Sequence, residues 1–133
     1  MSELEQRAQE RYDSGRALLD AGDVRSAIIE LEASAEDYPH FKTLELLGEA
    51  WLRSNEPRRA VVPLAAATTL NPQVRAPSLL AEALLALGDE LAAHDIARLA
   101  LDRDPNNRKA RTVFESTKAA YLRWNSLGSE SEV

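Results

Sequence analysis

Residues 17–23 read ALLDAGD, residues 50–56 read AWLRSNE, and residues 83–89 read ALLALGD. These stretches lie 33 residues apart, and further positions recur at the same interval. The shared columns hold Ala17, Ala50, Ala83; Leu19, Leu52, Leu85; Gly15, Gly48, Ala81; Ala27, Ala60, Ala93; and Pro39, Pro72, Pro105. Self-similarity at a fixed interval of about 20 to 50 residues is typical of proteins built from stacked structural repeats.

Each repeat has the pattern of two amphipathic helices joined by a tight turn. Apolar residues recur at helical spacing, as in Leu44, Leu47 and Trp51. About two-thirds of the way along each repeat lies a pair of turn residues: Gly22-Asp23, Asn55-Glu56 or Gly88-Asp89. The first residue of such a pair can end one helix in a left-handed conformation, and the second can start the next helix. The shared proline then marks the end of the second helix. The sequence therefore predicts an all-α fold.

The predicted repeats cover approximately residues 8–40, 41–73 and 74–106 of a single domain, 1–124. Ser2 and Glu5 have capping-box spacing, which predicts that the first helix begins ahead of the first repeat. Residues 107–124 form an amphipathic capping helix, because the last repeat needs a cover for its apolar face. Residues 125–133 are expected to be a flexible tail.

The pattern resembles the tetratricopeptide (TPR) family. The second repeat carries its motif in order, with Leu44, Leu47, Gly48, Trp51, Ala60, Leu64, Ala67 and Pro72. The resemblance implies a right-handed α-solenoid of helix-turn-helix repeats with about seven helices. The structural positions of the repeat are Gly15, Ala27, Pro39, Gly48, Trp51, Ala60, Pro72, Ala81, Ala93 and Pro105. Small residues at several of these positions let the two helices of a repeat approach closely.

The resemblance also implies a concave groove, lined by the first helix of each repeat, that binds a peptide or helix of a partner. The corresponding residues are Tyr12, Arg16, Leu19, Lys42, Glu45, Leu46, Glu49, Leu52, Arg53, Arg75, Leu79, Glu82 and Leu85. They include a basic row, an acidic row and an apolar floor of leucines, which would suit an amphipathic segment. The alternative is that the leucines pack between neighbouring helices and the charges are solvated.

The resemblance also covers a subset of the family that holds the C-terminal carboxylate of a partner in a clamp of Lys and Asn residues followed by Lys and Arg. The matching positions here are Tyr12, Arg16, Leu46, Arg75 and Leu79, so that only Arg75 retains the clamp chemistry. Binding of a chaperone tail through that clamp is therefore not expected.

Composition argues against several classes of function. The net charge is −6, which does not favour binding to nucleic acid or an anionic membrane. The chain has no cysteine, no long apolar span and no secretory signal pattern, and we expect a cytoplasmic protein without membrane insertion. His40 and His94 lie far apart without carboxylates at ligand spacing, and no nucleophile or phosphate-loop motif occurs. We expect no enzyme activity, metal or cofactor.

The sequence thus predicts a non-catalytic protein-interaction module, an adaptor or scaffold with a partner of unknown identity. Two alternatives remain open. The first is a dedicated chaperone for a secreted or assembling subunit, similar to class II chaperones of type III secretion. The second is a self-assembling scaffold that uses oppositely charged ends or the region of Trp124, which leaves weak homo-oligomerisation open.

Overall fold

The structure, a computed structural model, describes residues 1–73 and 75–131, with side chains through residue 127. Over those residues it has no β-strand and seven α-helices: α1 (Glu3–Asp20), α2 (Val24–Asp37), α3 (Phe41–Arg53), α4 (Pro57–Leu70), α5 (Arg75–Ala86), α6 (Glu90–Arg103) and α7 (Arg108–Ser131). The predicted all-α class of paired helices is confirmed.

The chain divides into two compact units, Met1–Pro72 with α1–α4 and Gln73–Val133 with α5–α7. In the first unit α1 packs on α2, α2 on α3, and α3 on α4; in the second, α6 packs on both α5 and α7. Each unit has its own cluster of buried apolar residues. That both units form one continuous domain stays a prediction.

The turn inside each helix pair has the geometry expected from its residues. Gly22, Asn55 and Gly88 have positive φ angles of 86°, 58° and 83°. The next residue's amide then donates back into the preceding helix, as from Asp23 N to the Leu18 carbonyl at 2.9 Å. This bond satisfies a carbonyl that the helix end would otherwise leave unpaired. Asp23 and Asp89 then cap α2 and α6 with their side chains.

Close helix contact within a pair depends on small residues. A Cβ atom built on Gly15 would lie 2.7 Å from the Leu31 Cγ, and one built on Gly48 would clash with Leu64. Ala27 and Ala60 are fully buried at the same contacts. The leucine of the second helix therefore occupies the space that a side chain on the first helix would need.

The ends of the chain differ in how well the sequence predicted them. α1 begins at Glu3, and the Ser2 side chain accepts a hydrogen bond from the Glu5 amide at 3.1 Å, as the capping-box spacing predicted. α7 continues to Ser131, into the segment expected to be a flexible tail. Trp124 and Leu127 keep the helical spacing of its apolar residues, although each is 60% exposed. Residues 132 and 133 of that predicted tail lie outside the described residues.

Candidate functional site

A partly open cavity of about 340 Å³ lies in the first unit, between α1, the end of α2 and the start of α3. We call it the α1–α3 pocket. Its lining consists of Met1, Glu5, Ala8, Gln9, Tyr12, Ser34, Tyr38, His40, Lys42 and Thr43. The cavity is thus built from the first helices of two successive repeats and the connection between them.

Two local hydrogen bonds shape the pocket. The buried Ser34 hydroxyl donates to the Ala8 carbonyl at 2.7 Å and so ties α2 to α1 at the pocket wall. Pro39 follows the end of α2, and His40 caps α3 by accepting a bond from the Lys42 amide at 3.1 Å. The His40 ring also stacks on Phe41, with centroids 4.6 Å apart. Tyr38 and His40, on either side of Pro39, both line the pocket.

The pocket offers groups of both charges and several hydrogen-bonding atoms. Glu5 contributes a carboxylate from α1, and Lys42 contributes an ammonium from α3. Within the described part of the chain, the Lys42 ammonium makes no ion pair or hydrogen bond, so it is open to a partner. The Tyr12 hydroxyl accepts a bond from Arg16 at 3.2 Å, which raises the pKa of Arg16 and keeps its guanidinium charged.

The predicted groove residues of the first unit fall into two groups. Tyr12 and Lys42 are brought together in the α1–α3 pocket. Arg16 and Arg53 are exposed, and Glu45, Glu49 and Leu52 are half-buried. Arg53 is held near Glu49, with 3.8 Å between their charged atoms, and donates to the Leu19 carbonyl at 3.4 Å. The Arg53 side chain therefore joins the end of α3 to the end of α1.

In the second unit the predicted residues form a separate set. Arg75 is exposed, and Glu82 and Leu85 are half-buried. The Glu82 carboxylate pairs with the Lys109 ammonium of α7 at 2.9 Å, at a site where both side chains are about half exposed. Such an exposed pair contributes little to stability and leaves the groups accessible.

The apolar floor requires a correction. Leu19, Leu46 and Leu79 are only 1%, 7% and 6% exposed, so they are core residues and not a surface that a partner can contact. Leu19 and Leu46 belong to the same buried cluster as Ala27, Ile28 and Leu31. The inner-face spacing is helical as predicted, but Leu19 and Leu46 pack in the core of the first unit. The burial of Leu19 and Leu46 among residues of α1, α2 and α3 fits the alternative interpretation, in which these leucines pack between helices.

Sequence reasoning missed several residues of the pocket, among them Tyr38, His40 and Thr43. They lie in the connection between two repeats and at the first turn of α3, outside the inner-face positions that the resemblance supplied. The signal was the cluster Tyr38-Pro39-His40, where aromatic side chains flank the helix-ending proline. An exposed aromatic residue beside a chain reversal is a frequent feature of binding surfaces.

Among the side chains that the structure describes, those of residues 1–73 and 75–127, no three His, Cys, Asp or Glu lie close enough to hold a metal ion. His94 is instead a buried side chain that packs between α6 and α7. In the same residues no helix combines the length and hydrophobicity that a membrane span requires.

Comparison with known proteins identifies the fold. No protein-family model and no curated protein sequence matches this chain. The first TPR domain of Spaghetti (RPAP3), bound to an HSP90 peptide, is similar in structure, with a TM-score of 0.82 and 21% identity over 89% of this chain and 95% of that one. The Arabidopsis OM64 TPR domain has a TM-score of 0.81 and 15% identity, and covers 88% of this chain and 98% of its own.

A third similar structure is the Yersinia enterocolitica type III secretion chaperone SycD in complex with a peptide of the translocator YopD. Its TM-score is 0.76 with 16% identity over 84% of this chain and 92% of that one. The chain described here is thus a helical-repeat protein. More particularly, its fold is that of TPR domains, as the repeat pattern predicted.

Proposed function

We propose that this chain is a non-catalytic protein-interaction module that binds a short segment of a partner protein in the α1–α3 pocket. The observation that carries the proposal is the pocket itself: about 340 Å³, with an unpaired Lys42 ammonium at its wall. A concave site with apolar surface and a few convergent polar groups is the usual form of a binding site. A TPR domain and a type III secretion chaperone of similar fold are each bound to a peptide in solved structures, which supports the same class of ligand.

The lining defines the chemistry of the segment. Ala8, Tyr12 and Tyr38 supply apolar and aromatic surface, so one bulky side chain of the partner can enter between them. Lys42 pairs with an acidic residue next to that side chain, while Glu5 accepts a bond from a backbone amide or a basic group. Arg16, Leu46 and Leu79 stand at positions that match the family's carboxylate clamp but do not carry the residues of that clamp. The bound segment therefore does not need a free C-terminal carboxylate.

Selection from a random-peptide display library on the 133-residue chain tests the proposal. We expect enriched peptides with a bulky apolar residue beside an acidic one. Lys42→Glu should weaken their binding about tenfold or more, because it replaces attraction by repulsion. Lys118→Glu, a matched reversal at an exposed position of α7, should bind as the native chain does.

Circular dichroism of Lys42→Glu separates loss of binding from loss of fold, since Lys42 is exposed and its substitution should leave helicity unchanged. The proposal fails if no peptide is enriched, or if the selected peptides bind Lys42→Glu as tightly as the native chain. Leu52→Glu in the first unit and Arg75→Glu in the second, each made by itself, test the remaining predicted groove positions with the same two measurements.

A second candidate function is a dedicated chaperone for one secreted or assembling subunit. The likeness in fold to a type III secretion chaperone with a bound translocator peptide favours it. Expression of the partner with and without this chain distinguishes the two. A chaperone's cargo becomes insoluble without it, whereas the partner of an adaptor stays soluble alone. A cytoplasmic location and the absence of nucleic-acid binding stay predictions.

A further inference from the structure

The second unit carries an exposed apolar surface that the peptide-binding proposal does not use. Trp124 and Leu127 of α7 are each 60% exposed, although both continue the stripe by which α7 packs on α6. They border an open hollow of about 350 Å³, whose other walls are Ala120, Arg123 and residues 88–91 at the start of α6. We call this surface the α6–α7 notch. A large exposed tryptophan beside a hollow is a typical feature of a protein interface.

The charges of the notch identify the kind of partner. It contains a basic group, Arg123, and an acidic group, Glu90, and neither pairs with another charge among the described residues. Asp89 also borders it, but its carboxylate is engaged as the cap of α6, accepting a bond from the Ala92 amide at 3.2 Å. One surface therefore holds an exposed indole ring, a hollow, an unpaired cation and an unpaired anion. Because this surface carries both the ring and the hollow, and both signs of charge, it is complementary to the same surface on a second copy of the chain.

We propose that the α6–α7 notch binds the same notch of a second copy of this chain in a two-fold symmetric dimer. In a two-fold symmetric interface, a contact from one residue of the first copy to another residue of the second copy is repeated with the two copies exchanged. Every contact is therefore made twice. Trp124 of each copy enters the hollow of the other, and Arg123 of each copy pairs with Glu90 of the other. This site is separate from the α1–α3 pocket, and the proposal does not depend on peptide binding.

Sedimentation equilibrium on the full chain, from low micromolar to near-millimolar concentration, tests the proposal. We expect a monomer–dimer equilibrium. Trp124→Ala should raise the dimer dissociation constant about tenfold or more, because buried tryptophans contribute strongly to interfaces. Leu122→Ala is the matched control: Leu122 is 55% exposed on the opposite side of α7 and should not affect association.

A charge exchange tests the symmetric pairing directly. Arg123→Glu and Glu90→Arg should each weaken the dimer, and the chain with both substitutions should associate as the native chain does. Far-UV circular dichroism checks that each variant stays folded. A monomer at every concentration overturns the proposal. So does a dimer that is indifferent to Trp124→Ala and to both charge reversals, since it would use another surface.

Discussion

Gly48 and Leu64 show how the repeat sets the size of each residue at its closest helix contact. A Cβ atom at Gly48 would collide with Leu64, and Gly15 stands in the same relation to Leu31. The third repeat has Ala81 and Ala97 in these two columns, and both are fully buried in one cluster. In the first two repeats a glycine faces a leucine, and in the third an alanine faces an alanine. The repeat therefore keeps room for the two side chains together rather than a fixed residue type at each position.

Gly48→Ala should therefore destabilise the chain by about 1 to 3 kcal/mol through overpacking. Leu64→Ala should cost about 2 to 5 kcal/mol through a cavity. The double variant, which reproduces the alanine pair of the third repeat, should cost less than the sum of the two. Urea unfolding followed by circular dichroism measures all three. Additive losses would show that the two side chains do not compete for the same space.

Asp37 is the residue with the clearest pH dependence. Arg7 donates two hydrogen bonds to its carboxylate, at 2.9 and 3.1 Å, and this contact lowers the pKa of Asp37. Because the pKa is lower in the folded chain, the stabilisation is present above about pH 4 and is lost as the pH falls through the folded value.

Asp37→Asn should therefore be less stable than the native chain at neutral pH, and the difference should shrink as the pH falls below about 4. Urea unfolding at a series of pH values measures the difference. Asp95→Asn is the matched control, because Asp95 pairs with Arg98 of its own helix at an exposed site. An Asp37→Asn difference that is constant with pH would contradict the assignment.

Among the elements, α7 is attached to α6 by a buried polar contact inside an aromatic stack. The His94 ring lies 4.4 Å from the rings of both Phe114 and Tyr121, and its Nδ1 is 2.9 Å from the Thr117 hydroxyl. Thr117 also donates to the Val113 carbonyl at 2.8 Å, so the ring nitrogen must be the donor toward the hydroxyl oxygen. His94 and Thr117 are almost fully buried.

Thr117→Val preserves the shape but removes the partner of the His94 nitrogen. The loss should be about 1 to 3 kcal/mol, because a buried donor is left unsatisfied. Thr112→Val is the control, since Thr112 is exposed and bonds only the Arg108 carbonyl of its own helix. Thermal unfolding of the two variants gives the comparison. Equal unfolding midpoints for Thr117→Val and Thr112→Val would show that the hydrogen bond between His94 and Thr117 does not stabilise the fold.

At the element scale the sequence predicted most of the fold. The 33-residue interval, the turn residues and the helix-ending prolines are local signals, and the helices begin and end close to them. The predicted capping helix ended at about residue 124, whereas α7 continues to Ser131. The segment around Leu127 is rich in serine and glycine, and this composition indicated a tail rather than a helix. Burial of Leu19, Leu46 and Leu79 was harder to predict, since it depends on how neighbouring helices pack.

On the scale of the whole molecule, the candidate site is the part that the sequence predicted least. Tyr12 and Lys42 came from the family's inner-face positions, but the pocket also needs Tyr38 and His40. These two residues flank the shared proline Pro39 but do not themselves recur in the other repeats. A cavity is formed by residues that are distant in sequence, and its volume depends on the packing of whole helices. The net charge of −6 disfavours strongly acidic partners, except those whose acidic groups pair with the Lys42 ammonium.

Met1 belongs to the lining of the α1–α3 pocket and is 87% exposed there. An affinity tag fused ahead of it would place foreign side chains at the mouth of the pocket, at a high effective concentration. We expect such a tag to lower the apparent affinity of a peptide offered in solution. Immobilisation through a position remote from α1 would leave the pocket open for the partner.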